Sequence, residues 1–207
     1  MSFTDHPLAR RPYMKRQLSR DDIGNQGRVL LNDFIHERLN QEHVEGIPAV
    51  EELQEPGTPS GPPLEHFKEI GRALRCIADE LDQDQRIQRI ISRVPPDAPQ
   101  QTFFNVANDF FRDGVISWGR VATLFYFGYK MALKTLSMAL DKIPLIKAII
   151  NWVINFIVDQ VAPWIIERGG WEMIVEYFGT PGWQATGILV GGFAAAGAVV
   201  AYNVWGH

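Results

Sequence analysis

Few residues in this 207-residue chain have both the type and the spacing that chemistry needs. His36–Glu37 begins like the His-Glu-x-x-His helix of a zinc protease, but position 40 is Asn where the second histidine ligand belongs. His6, His43, His66 and His207 show no ligand spacing. Cys76, the single cysteine, has no partner for a nucleophilic pair and falls on the side of its helix away from the apolar residues. No phosphate loop or dinucleotide fingerprint occurs, since Gly191–Gly192 sits inside an apolar run rather than after a strand. Catalysis, a metal and a cofactor are therefore not expected. One ionic constellation remains. Arg120 is the only charge in the first turns of an apolar helix, so it must face a surface, a groove or an acid. Asp79 is the candidate acid, because a guanidinium can grip a carboxylate through two parallel hydrogen bonds. Ordinary surface pairing is the alternative. Either way, the chemistry is recognition.

Asp79 lies at the rim of a narrow ridge. In "LEHFKEIGRALRCIADELDQD", Leu64–Asp84, the residues Phe67, Ile70, Leu74, Ile77 and Leu81 are spaced 3, 4, 3, 4. At about 100° per residue they fall within an arc of roughly 80°, narrower than the face of most core helices. Small residues, Gly71 and Ala78, border the ridge and would allow close approach. Such a helix either lies on its own core or fits a groove.

Other elements follow from periodicity and punctuation. Residues 21–40 read as a helix with an acidic start at Asp21 or Asp22 and Ile23, Leu30, Leu31, Phe34 and Ile35 inward. Gln41–Pro63 has five Glu, five Pro and no Lys or Arg, the composition of a flexible acidic linker. After the ridge, a short helix is expected over Gln85–Val94, stopped by Pro95, Pro96 and Pro99, and another over residues 100–114 with Phe103, Ala107, Phe110 and Phe111 inward. Ser117 caps Trp118–Leu140, whose first half is apolar nearly all round and so calls for burial on every side. Pro144 opens a second apolar helix to Val161, Pro163 bends or ends it, Gly169–Gly170 breaks the chain, and Trp171–Phe178 is one more short helix.

The two ends differ from the middle. Residues 1–20 carry five basic residues and two prolines but no apolar leader, which predicts a disordered arm. Tyr177–His207 contains no Asp, Glu, Lys or Arg, and Gly187–Trp205 is long enough to cross a bilayer. A membrane anchor marked by Gly187, Gly191, Phe193, Val199 and Trp205 is expected over residues 182–207, with a helical domain over 21–181 containing the linker 41–63. No segment alternates with period two, so the fold expected is all-α: eight or nine helices, a central buried hydrophobic hairpin, amphipathic helices around it and a C-terminal apolar helix. A net charge of −4 argues against nucleic acid, and one cysteine without a glycosylation acceptor argues against the secretory route.

These residues also carry a resemblance. "RVLLNDFIHER" is similar to the N-terminal homology helix of the B-cell-lymphoma-two family of apoptosis regulators. "IGRALRCIADELD" resembles its death-inducing third motif, through Leu74, Ile77, Ala78 and Asp79. "DGVISWGRVATLFYF" is similar to the first motif and "WIIERGGWEMIVEYFGTPGWQ" to the second, in family order. The likeness is to the pore-forming effectors. It implies a groove that accepts third-motif helices, here around Trp118, Gly119, Arg120, Val121, Leu124 and Phe125, with the second motif at Trp164, Gly169, Gly170 and Trp171.

It further implies a cytoplasmic inactive form and activation by death-motif helices. Insertion in the mitochondrial outer membrane, homodimers and higher oligomers, and permeabilisation would follow. The implied partners are the chain itself, activator and pro-survival relatives and outer-membrane lipid. The alternatives are a protective relative that sequesters death motifs without forming pores, and a tail-anchored structural protein with no role in cell death.

Overall fold

The computed structural model describes residues 17–56, 66–137 and 142–179. Most of the N-terminal arm, residues 57–63 of the linker and the anchor residues Gly187, Gly191, Phe193, Val199 and Trp205 lie outside the described residues. Nine α-helices are present among those described: α1 (Arg20–Gln41), α2 (Val50–Leu53), α3 (Phe67–Gln83), α4 (Gln85–Arg93), α5 (Gln100–Phe110), α6 (Trp118–Leu136), α7 (Lys142–Phe156), α8 (Ala162–Arg168) and α9 (Met173–Gly179). A π-helical turn, Ile157–Val161, joins α7 to α8. No strand appears among the described residues.

The centre is the α6–α7 hairpin. Every residue of α6 from Trp118 to Tyr129 is buried, as its all-round apolar character requires. The two helices meet at Gly128, where an added Cβ would come within 2.8 Å of the Val153 side chain. Helix α5 closes one side with a stack of Phe103 on Phe127, centroids 5.4 Å apart, and an edge contact of Phe110 with Phe127 at 5.8 Å.

Caps decide where the surrounding helices start. Ser19 and Asp22 form a reciprocal capping box at α1, so the helix begins one or two residues before the acidic pair. Asp84 ends α3 and caps α4 by accepting from the backbone N–H groups of Arg86 (2.8 Å) and Ile87 (3.4 Å). Ser117 accepts from the Arg120 N–H at 3.3 Å. Lys134 of α6 donates to the carbonyls of Ile91 (2.5 Å) and Val94 (2.6 Å), which satisfies the otherwise open end of α4.

Two expectations are revised. The acidic linker is not featureless: α2 lies within it, Leu53 is buried, and the Asn151 side chain of α7 donates to Glu55 at 3.4 Å. Leu53, with Val44 and Ile47 packed against the core beside it, outweighs the local composition. Pro163 does not end its helix. The preceding π turn, in which the Ala162 N–H reaches Ile157 O, opens the helix by one residue and accommodates the proline without a break. Lys142–Arg168 is thus a 27-residue rod, the one helix among the described residues long and apolar enough to cross a membrane. Half of its most apolar stretch is buried inside the fold.

Helix α1 packs along this rod. Its Gly24 and Gly27 form a notch: a Cβ at Gly27 would come within 2.9 Å of the Trp171 ring, and one at Gly24 within 2.6 Å of Val158. Seated there, the Trp171 indole donates to the Ile23 carbonyl at 3.0 Å.

Candidate functional site

The ridge of α3 is seated inside its own chain. Ile70, Leu74, Ile77, Ala78 and Leu81 are buried, and Phe67 at the start of the helix is half-buried. At about 1.5–3 kcal/mol for each buried large aliphatic side chain, the four inner positions represent roughly 6–12 kcal/mol. That is comparable to the whole stability of an ordinary domain. The ridge therefore cannot simply be shed into water. It can leave only for an equally apolar seat.

A polar clamp holds the rim. Arg38, near the C-terminal end of α1, is in phase with Leu31, Phe34 and Ile35 and buried with them. Its guanidinium donates to Asp79 at 2.7 Å and to Asp82. Asp82 also pairs with Lys130 at 2.9 Å and accepts from the Tyr126 hydroxyl. Gln88 of α4 donates to that hydroxyl and to the Leu81 carbonyl, both at 2.7 Å. Tyr129 donates to Glu42 at 2.9 Å, and the Lys130 ammonium sits 5.0 and 5.3 Å from the Tyr129 and Tyr126 ring centres. A second pair, Arg75 with Glu37, ties α3 to α1 one turn earlier along the ridge.

Burial alone would raise the pKa of Asp82; hydrogen bonds from Tyr126 and Lys130 and the charges of Lys130 and Arg38 outweigh it and leave the carboxyl below its usual range. The Tyr126 hydroxyl is pushed strongly upward by burial and by Asp82, so it stays a donor. Asp33, beside Arg75, shifts upward through burial and the nearby Glu37.

Arg120 is buried but does not meet Asp79 within the chain. It grips Asp113 through both terminal nitrogens, with Nη2 to Oδ2 at 2.7 Å, and donates to the Val115 carbonyl at 2.6 Å. This corrects the expected pairing. Asp113 lies seven residues earlier, across a tight turn that lays it over the start of α6, whereas the rim of α3 faces the end of α1. The remaining residues assigned to a groove, Trp118, Gly119, Val121, Leu124 and Phe125, are buried rather than lining an open surface.

The structure does unite the first and second motifs. Trp118 meets Trp164 at 4.9 Å and Trp171 at 6.1 Å, and Phe125 meets Trp171 at 5.6 Å. Gly169 and Gly170, at φ +104° and +107°, make the left-handed turn that ends α8 and returns Trp171 to the core. Cys76 is exposed on the outer side of α3, as its phase requires.

Arg38, Asp82, Tyr126 and Lys130 were missed by sequence reasoning. The usable signal was Arg38 at the i+7 position of the apolar stripe through Leu31 and Phe34, a buried cation that demands an acid. Asp82 is the acid one turn beyond Asp79.

The described residues form an all-α bundle whose apolar α6–α7 hairpin is buried, with the amphipathic helix α3 packed against α6. The family model described as apoptosis regulator proteins, Bcl-2 family, matches residues 74–171. Mouse apoptosis regulator BAX is 39% identical over 179 residues, covering 86% of this chain and 88% of that protein, and its human counterpart is 38% identical over the same length. Chicken Bcl-2-like protein 1 is 28% identical over 151 residues, 64% of each chain. The crystal structure of chicken BOK shares the fold, with a TM-score of 0.62 at 22% identity over 77% of this chain and 98% of that one. The chain belongs to the Bcl-2 family of apoptosis regulators, and its sequence is Bax-like.

Proposed function

We propose that this protein is a pro-apoptotic effector whose α3 ridge leaves its own seat, enters the groove of a second copy, and so builds oligomers that permeabilise the mitochondrial outer membrane. The observation that carries this reading is the way α3 is held. Its apolar side is deeply seated, while its rim acid Asp79 is 70% exposed at the side chain and tied by an ion pair that can be exchanged. Apolar burial makes exposure in water too costly, and the exchangeable rim makes transfer to a matching slot feasible. Activator death-motif helices trigger the transfer, and pro-survival relatives intercept it. The inactive form is cytoplasmic and the active form sits on mitochondria, with the 182–207 segment as anchor. The higher identity and coverage against BAX than against Bcl-2-like protein 1 supports an effector over a sequestering relative.

The test uses liposomes containing cardiolipin and loaded with large dextrans. Purified full-length protein with an activating third-motif peptide releases the dextrans on this reading. Peptide binding without release, under conditions that activate a control effector, assigns the chain to the sequestering kind.

A further inference from the structure

We infer that the seat of the Asp82 carboxylate is an oxyanion site plugged by α3, and that once α3 has left, Arg38, Lys130 and the Tyr126 hydroxyl take the phosphate of a lipid headgroup there. The departure of α3 rests on the function proposed above; the chemistry of the seat does not.

Donors from two helices, α1 and α6, converge on that one carboxylate. Lys130 Nζ stands 2.9 Å from Asp82 Oδ1, which also accepts from the Tyr126 hydroxyl, and Arg38 Nη2 donates to Oδ2. Each donor is fixed from behind. The Tyr126 oxygen accepts from Gln88 at 2.7 Å, which leaves its own proton for the carboxylate. The Lys130 ammonium lies over the Tyr126 and Tyr129 rings, and the Arg38 guanidinium lies 5.4 Å from the centre of the Tyr129 ring. The cations are largely shielded from water, with 6% of the Arg38 and 15% of the Lys130 side chain exposed. The Asp82 side chain is 26% exposed, so the seat opens outward.

Asp79 and Asp82 lie on the same helix and leave together. Arg38 then keeps the neutral Gln41 acceptor at 3.1 Å, and Lys130 keeps Glu42 at 3.9 Å, a carboxylate that also accepts from the Tyr129 hydroxyl. Two cations face one acid. A shielded positive charge without a counter-charge is costly, so the vacated seat recruits an anion. The order of chemistry along α3 says which kind. The helix fills its seat with an aliphatic row, Ile70, Leu74, Ile77 and Leu81, and follows it at once with the acid Asp82. An anionic phospholipid has the same order, hydrocarbon and then phosphate, and phosphate oxygens suit a guanidinium fork. Bound there, the headgroup offsets the loss of both acids and favours the released state at a membrane over water.

The first arm of the experiment needs no membrane. In Asp79→Asn combined with Asp82→Ala, the aliphatic row still seats α3 while the charge of the vacated site is reproduced. The unfolding midpoint of this variant should rise by about 2–4 °C in phosphate relative to chloride at equal ionic strength. Wild type, and the variant with Lys130→Gln added, should show only the smaller general effect of phosphate on burial. If the double variant fails to fold, Asp82→Ala alone, which keeps the Asp79 pair, should show the same selective rise. An equal response of variant and wild type overturns the inference.

The second arm identifies the source of the phosphate. Full-length protein with saturating activating peptide is bound to vesicles of phosphatidylcholine with and without phosphatidylglycerol. Lys130→Gln should bind the mixed vesicles about fivefold more weakly than wild type, the scale of one cation at an anionic surface. Lys147→Gln, half-buried on α7, should match wild type. On phosphatidylcholine alone all three should agree. Equal losses in the two variants mean that charge alone acts and overturn the headgroup assignment. A Lys130→Gln loss on both kinds of vesicle puts the α3 of a second copy in the seat, which overturns it as well. A phosphate response in the first arm with no loss in the second makes free phosphate the ligand, against the lipid. Absence of vesicle binding by wild type with peptide overturns the proposed function and the headgroup with it, while the first arm still reads the seat.

Discussion

Arg38 holds Asp79 at 2.7 Å from 41 positions earlier in the chain, and the same guanidinium holds Asp82 one turn further along α3. One buried cation therefore fixes the register of α3 against α1. The apolar ridge supplies most of the seating energy but little directional information; the arginine supplies the direction.

Replacing that cation should loosen α3 without emptying the core. Arg38→Ala should lower stability by about 1.5–3 kcal/mol, the scale of hydrogen bonds to charged groups. Equilibrium urea unfolding measures the loss. The same variant should release dextran from liposomes at lower peptide concentration than wild type.

The Asp82 carboxyl makes the clamp sensitive to acid. Its folded-state pKa lies below the unfolded value of about 3.9, so its contribution is fully present above that value and disappears as pH falls through the lower folded value. Asp33, shifted upward, has the opposite sign: its contribution is present below its unfolded pKa and lost as pH rises. Comparison of wild type with Asp82→Asn isolates the first effect. Wild type should be the more stable at pH 6, and the two unfolding midpoints should draw together as pH falls below the unfolded value.

Close approach in the hairpin gives a packing prediction. A methyl group at Gly128 would stand 2.8 Å from the Val153 side chain, so Gly128→Ala should cost about 1–3 kcal/mol. Adding Val153→Ala makes room, and the double variant should be more stable than the sum of the two single losses. Strict additivity would mean that the two helices do not meet at these residues.

Much of this architecture was legible in the sequence, because burial follows period. The 3, 4, 3, 4 spacing from Phe67 to Leu81 located the ridge, and the charge-free stretch after Arg120 located the buried hairpin. Motif order singled out Trp118, Trp164 and Trp171 separately, and only the fold brings them together. What escaped was decided by partners distant in sequence or by a single residue. Arg38 looks like one more charge in a mixed helix until α3 is laid beside it. Leu53 is one of a few apolar residues in an acidic linker, yet it docks α2. Pro163 reads as a bend or an end, and the π turn before it lets the helix continue. Arg120 was read as a cation that must face a surface, a groove or an acid; within the chain the acid is its near neighbour Asp113, not Asp79.

Arg120 itself should matter most when a partner helix is present. Arg120→Ala should weaken binding of a third-motif peptide by roughly 1.5–3 kcal/mol. The loss should be small when the peptide carries Asn in place of its acid. Calorimetric titration of both peptides against both proteins gives the coupling directly.

Cys76, exposed on the outer side of α3 and the sole cysteine, offers a natural label for the step on which everything else depends. A nitroxide placed there, followed by pulsed dipolar spectroscopy on cardiolipin liposomes, reports where α3 sits relative to α3 of a second chain. The account predicts a single defined distance between chains that appears only with activating peptide and membrane, and that Asp79→Arg abolishes. Dextran release from the same vesicles with no defined distance between the two labels would contradict it.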